Sequence, residues 1–153
     1  MNITSILRSD AILPELKAKD KQGVIQELAG LIAQVEPSID VEQLVKILLE
    51  REALGSTGIG SGVAIPHGKL SQLDHIVAAF GRSKPGVEFD SQDGEPAHLF
   101  FALVAPENTA GLHLKALAKL SRLLKESSFR DRLMKAPDTQ TVYQIIKEED
   151  EKS

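Results

Sequence analysis

The sequence predicts an α/β sandwich, one domain in which a mixed central sheet is flanked by helices on both faces. Three observations lead there. Apolar residues recur at helical spacing in the first and last thirds of the chain. Between them lie two apolar runs of strand length, residues 76–81 and 99–104, the second apolar on both faces as a strand covered from each side must be. Helical and extended segments alternate rather than segregate, which selects a layered arrangement. The 153 residues, 42% hydrophobic and 26% charged, suffice for one self-sustaining core. Area scaling puts the folded surface at roughly 7,600 Å².

Taken in order, residues 1–19 are mixed, with residues 11–13 a brief strand stopped by Pro14. Asp20 is the N-cap of a helix whose buried stripe is Val24, Leu28, Leu31, Ile32 and Val35, ended by Pro37. Asp40 caps a second helix with Val41, Leu44, Val45 and Leu48 inward and Arg51 in its last turn. A glycine-rich segment, residues 55–62, is too permissive for a helix interior and leads to a short apolar run stopped by Pro66. Turn signals fill residues 83–96, around Lys84-Pro85-Gly86 and Asp93-Gly94. A long helix is expected from about Thr109 to Lys125, with Leu117, Leu120 and Leu124 on one face. Two shorter helices follow, separated at Pro137. The single domain covers residues 1–153, with a core of about 3–147 and a polar tail, 148–153, expected to fray.

Composition removes several function classes. With no cysteine, thiolate metal sites, disulfides and thiol catalysis are excluded. A net charge of −4 and only 4% aromatic residues argue against nucleic-acid binding and base stacking. The longest apolar run, residues 99–105, is far shorter than a membrane span, and no signal peptide precedes it, so a cytoplasmic location is expected. The four histidines lack the spacing of a metal site. Gly60-Ser61-Gly62 lacks the G-x-S-x-G elbow of a serine hydrolase.

Chemistry concentrates between Arg51 and Leu70. The glycines there fail the Walker template, because Ser61 and Gly62 stand where Lys and Ser/Thr are required. They fail the dinucleotide template too, since a helix and not a strand precedes them. On glycine content alone the segment reads as a tight corner, with convergence of its N–H groups on an anion as the alternative. His67 adds weight to the second reading. It follows an apolar run and a φ-locked proline, and Gly68 leaves its ring uncrowded. A neutral imidazole so placed is a competent nucleophile near pH 7. His113 is its natural companion, lying in the first turn of the helix after the central strand, where the helix dipole disfavours an imidazolium. His75 and His98 lack such settings and read as structural or surface residues. Lys115, Lys119 and Arg122 form a basic stripe, read as a solvated face or a contact for an acidic partner.

With Arg51, the glycine-rich turn, Ile65-Pro66-His67-Gly68 and His113 in view, the sequence resembles the IIA proteins of the phosphoenolpyruvate-dependent phosphotransferase system, fructose–mannitol class. Within that class it is most similar to the nitrogen-regulatory branch. The resemblance covers about residues 3–147 and rests on STGIGSGVAIPHGKL and LFFALVAPENTAGLHLKALAKLSRLL. It implies a mixed sheet flanked by helices and a phosphoryl group carried on Nε2 of His67, donated by an HPr/NPr-type carrier. It implies that His113 hydrogen-bonds or stabilises that group, that Arg51 supports it, and that Ser56 and Thr57 are the motif's hydroxyl pair. No metal or cofactor is implied. Ser61 departs from the usual asparagine. The implied partners are regulated proteins, whose binding the phosphorylation state of His67 would control, or a IIB domain of a sugar transporter that takes the phosphoryl group; the stand-alone length favours the first. A pure binding module with an inert His67, and a metal-dependent hydrolase, are the contrasting readings.

Overall fold

The computed structural model describes residues 2–152, apart from the side chain of Ala110. A 3-10 turn (Ile3–Ser5) precedes strand β1 (Leu7–Leu13) and helices α1 (Lys21–Val35) and α2 (Val41–Ala53). Three short strands follow, β2 (Gly58–Gly60), β3 (Val63–Ala64) and β4 (His67–Leu70). Then come two long strands, β5 (Val77–Val87) and β6 (Ala97–Pro106), and three helices, α3 (Ala110–Leu123), α4 (Ser127–Lys135) and α5 (Thr139–Lys152). Both expected caps are made. The Asp20 carboxylate accepts from Gly23 N, and that of Asp40 from Glu42 N and Gln43 N.

The sheet runs β1-β5-β6-β3-β2, with β4 also paired to β6. Strand β6 is its spine, antiparallel to β5 and parallel to both β3 and β4. It is buried along almost its whole length, because α1 and α2 form one covering layer and α3, α4 and α5 the other. The mixed α/β sandwich is therefore present as expected, with a surface of 7538 Å². A buried cation locks one layer in place. Arg82 is 1% exposed, and its guanidinium donates to the carbonyls of Pro14, Leu133 and Ala136 at 3.0, 2.8 and 2.6 Å. It thus satisfies the carbonyl end of α4, where a positive charge is favoured.

The elements depart from expectation in three places. Strand β1 begins at Leu7 rather than Ala11; its polar centre, Arg8-Ser9-Asp10, bows outward where the register with β5 shifts, hiding the strand pattern. The turn signals at Lys84-Pro85-Gly86 do not end β5. They form an irregularity inside it, with Gly86 at φ +87° and the His98 Nδ1–H donating to the carbonyls of Ser83 and Lys84 in place of ladder bonds. The tail does not fray within the described residues. Helix α5 continues to Lys152 because Asp150, 3% exposed, accepts from Thr4 N and pairs with Lys119 at 2.7 Å. Lys119 is consequently not part of a solvated stripe, whereas Lys115 and Arg122 are exposed.

Candidate functional site

The site forms where one strand is broken. β3 and β4 pair successively with β6, Val63 opposite Leu99 and His67 opposite Leu103, so they are two halves of a single line. Pro66 has no N–H to continue the ladder, and the N–H of Ile65 turns away to the carbonyl of Thr57 at 3.0 Å. The carbonyl of Ile65 is thereby left to face the ring of His67, whose Nδ1 lies 2.8 Å from it. A carbonyl only accepts, so the proton of a neutral His67 sits on Nδ1 and the lone pair on Nε2. Burial is the main cause holding its pKa below the usual 6.5, and the Arg51 cation acts in the same direction.

His113, in the first turn of α3, meets this ring edge-on with centroids 5.5 Å apart. It is 5% exposed and its Nε2 has no partner among the described residues. Burial, then the neighbouring His67 and Lys69, push its pKa down to about 4, so this imidazole is neutral at physiological pH. Arg51, in the last turn of α2, gives one N–H to the carbonyl of Gly55 at 2.9 Å. The three side chains share an open cavity of about 490 Å³, walled also by Ile47, Gly68, Lys69, Leu114 and Leu117. The sequence-expected trio is thus brought together. Gly68 has a use beyond leaving the His67 ring uncrowded. A Cβ there would stand 2.7 Å from Ile47 Cγ2, so the glycine lets α2 approach β4.

The glycine-rich segment is a β-hairpin. β2 and β3 are antiparallel, and the two connecting residues, Ser61 and Gly62, have φ of +57° and +77°, as a type I′ turn requires. The N–H of Ser61 binds the Asp93 carboxylate at 3.0 Å, and the turn lines neither cavity at His67. The tight-corner reading of the glycines describes it. The hydroxyls of Ser56 and Thr57 border a smaller, 220 Å³ depression beside His67 and Arg51. They are engaged within the turn: Ser56 Oγ donates to the carbonyl of Phe89 at 2.6 Å, and Thr57 Oγ1 donates to the Glu52 carboxylate. His75 and His98 stand apart, the first bridging Asp74 and Glu36, the second inside the β5 irregularity. Among the described residues no group of three or more histidine or carboxylate side chains is arranged to hold a metal ion.

The family model "Phosphoenolpyruvate-dependent sugar phosphotransferase system, EIIA 2" matches residues 5–149. The chain belongs to that family. This EIIA chain is 41% identical over 146 residues to the nitrogen regulatory protein of Bradyrhizobium diazoefficiens, covering 95% of each. It is 38% identical over 150 residues to the fructose-specific EIIABC component of Bacillus subtilis, there covering 98% of itself and 24% of the longer protein. The crystal structure of nitrogen regulatory protein IIA-Ntr from Neisseria meningitidis shares the fold at a TM-score of 0.87 and 34% identity, over 94% of this chain and 98% of that one. The family supplies phosphotransfer components, and no helix of the described residues is long and apolar enough to cross a membrane.

Several residues of this EIIA site were not singled out from the sequence. Ile47 and Leu114 look like ordinary members of helical stripes, and Lys69 like a strand-surface lysine. Glu52 is the most consequential omission. It sits beside Arg51 in the last turn of α2, is 7% exposed, and pairs with Lys21 at 3.0 Å. A carboxylate retained at such burial is the signal that marks it, and burial is invisible in sequence.

Proposed function

We propose that this EIIA chain is a cytoplasmic phosphocarrier of the regulatory, nitrogen-branch kind. It accepts a phosphoryl group on Nε2 of His67 from the phosphohistidine of an HPr/NPr-type carrier, and its phosphorylation state controls partner proteins. The observation that carries this reading is the Nδ1–H bond of His67 to the Ile65 carbonyl, which aims the lone pair of Nε2 outward beside Arg51 and His113.

In the step itself the Nε2 lone pair attacks phosphorus. The bond from phosphorus to the carrier's imidazole breaks, and its electron pair stays on the carrier's ring nitrogen. His67 keeps its Nδ1 proton throughout, so its phosphorylated ring is cationic, and the Ile65 carbonyl stabilises that charge. Arg51 neutralises the equatorial oxygens with its unused N–H groups. His113, neutral, orients the group through a single N–H at Nε2 and does not add a second cation. Ser56 and Thr57 support the site by holding the turn. The exposed Leu114, with Ile47 and Leu117, gives the cavity an apolar rim suited to a protein rather than a small substrate. No cofactor enters the scheme.

The likeness to the nitrogen regulatory protein over 95% of both chains supports the regulatory role. The 38% identity to the fructose-specific EIIABC component favours a second reading, in which His67 passes its phosphoryl group to a IIB domain of a fructose/mannitol-type sugar transporter. Intact-mass analysis after incubation with phosphoenolpyruvate, enzyme I and an HPr-type carrier tests the shared step. One acid-labile phosphoryl group is expected on the wild type and on His113→Ala, and none on His67→Ala. An unlabelled, folded wild type removes the phosphocarrier reading. Onward transfer to a IIB domain selects the transport reading over the regulatory one.

A further inference from the structure

We propose that Glu52 is a positioning residue for His67: acting through Thr57 and Ile65, it holds the imidazole in the tautomer that leaves Nε2 free to react. Two oxygens of this buried carboxylate grip Thr57, one taking its backbone N–H at 3.1 Å and the other its hydroxyl. The carbonyl of Thr57 in turn accepts from Ile65 N at 3.0 Å, and the carbonyl of Ile65 accepts from His67 Nδ1 at 2.8 Å. Every link from carboxylate to imidazole is therefore a hydrogen bond of ordinary or shorter length. The segment being gripped has little stiffness of its own, since Gly55, Gly58, Gly60 and Gly62 lie within eight positions and three of them have positive φ.

The carboxylate is itself held. Lys21, at the start of α1, reaches Glu52 Oε1 at 3.0 Å, Asp90 at 3.5 Å and the Phe89 carbonyl at 3.4 Å, with the Phe89 ring 4.8 Å beneath its ammonium. The Ser56 hydroxyl binds that same Phe89 carbonyl. Ends of α1 and α2, the hairpin and the segment before β6 thus converge on one ion pair, 20% exposed on the lysine side and 4% on the glutamate side. Neither Glu52 nor Lys21 lines a cavity at His67. The effect of this arrangement is exerted on which nitrogen of His67 carries the proton, because a displaced Ile65 carbonyl no longer selects Nδ1. Glu52 also favours the charged ring of His67, against Arg51.

The consequence for transfer rests on the phosphocarrier reading, whereas the tautomer is measurable with no carrier present. Imidazole ¹⁵N spectra recorded above the titration of His67 are expected to show the Nδ1–H form alone in the wild type. Glu52→Gln, with a single acceptor oxygen, and Thr57→Val, without the hydroxyl, are expected to show a mixture of tautomers. Thr57→Ser, which restores the hydroxyl, is expected to return to Nδ1–H. Transfer from a phosphorylated carrier falls by up to about 100-fold in the first two and recovers in the third. Thr57→Val, which keeps the Lys21–Glu52 pair, stands in if Glu52→Gln does not fold. Loss of thermal stability in Thr57→Val with the Nδ1–H tautomer unchanged overturns the proposal, because Glu52 then has a structural role only. A wild type that takes no phosphate, while the variants show these tautomer changes, refutes the carrier function and leaves the positioning intact.

Discussion

A histidine that attacks phosphorus must be neutral, and burial keeps both rings of this site so. The pKa of His67 lies below its ordinary 6.5, so acidification protonates Nε2 only under that value. Transfer is expected to be flat between pH 7 and 8 and to fall about tenfold per pH unit below the lowered midpoint, as stopped-flow measurements against pH would show. His113 has the corresponding effect on stability. Its folded pKa is depressed from 6.5 to about 4, so the unfolded chain binds the proton first, and stability present at pH 7 is lost as pH falls through that window. Between pH 7 and 4.5 the loss from this residue is on the order of 2 kcal/mol. Urea melts at the two pH values should therefore show a smaller acid loss in His113→Leu than in the wild type, carboxylate effects being common to both. His75 has the opposite sign. Its bonds to Asp74 and then Glu36 raise its pKa, so its contribution is complete below 6.5 and fades as pH rises through the raised value. At this scale the sequence singled out His67, His113 and Arg51, which stand beside breaks in pattern, a proline or a helix end, and which the structure brings to one cavity. It was silent on Glu52, whose importance comes from burial and from partners 31 and 5 positions away, Lys21 and Thr57.

Among the elements, the hairpin of β2 and β3 explains a departure noted from the sequence. Ser61 occupies a left-handed position, φ +57°, that asparagine tolerates better than serine, and Gly62 follows it as in the favoured Asn-Gly turn. The asparagine usual in the family is thus suited to backbone shape at this position, and Ser61 lines neither cavity at His67. Ser61→Asn is expected to stabilise the chain by about 0.5–1 kcal/mol, a Tm rise of roughly 1–4 °C by differential scanning calorimetry, with transfer unchanged. A fall in Tm would refute the turn assignment. Helix boundaries were legible because caps and prolines mark them locally: Asp20, Asp40 and Pro137 all lie at ends. Strands β1 and β5 were less so. A bowed polar centre disguises the first, and in the second Gly86 and Pro85 read as a turn until His98, a strand away, supplies the missing donor.

For the molecule as a whole, the layered sandwich was legible from periodicity because alternate helices and an apolar central strand admit few other arrangements. The apolar rim of the His67 cavity was not. Its apolar members belong to helical stripes that also serve the core, and only the fold shows that Leu114, 66% exposed, points to the cavity mouth. Leu114→Glu is expected to raise the KM for the phosphorylated carrier about tenfold while kcat stays within about twofold, since the residue touches no reacting atom. An equal fall in kcat would place Leu114 in the chemistry instead. The contact between Thr4 and Asp150, 146 positions apart along the chain, has a further consequence. Polypeptide entering and leaving this unit does so at one spot on its surface. The module is therefore topologically suited to insertion into a host loop, or to circular permutation with its ends joined by a short linker, while the His67 cavity stays in place.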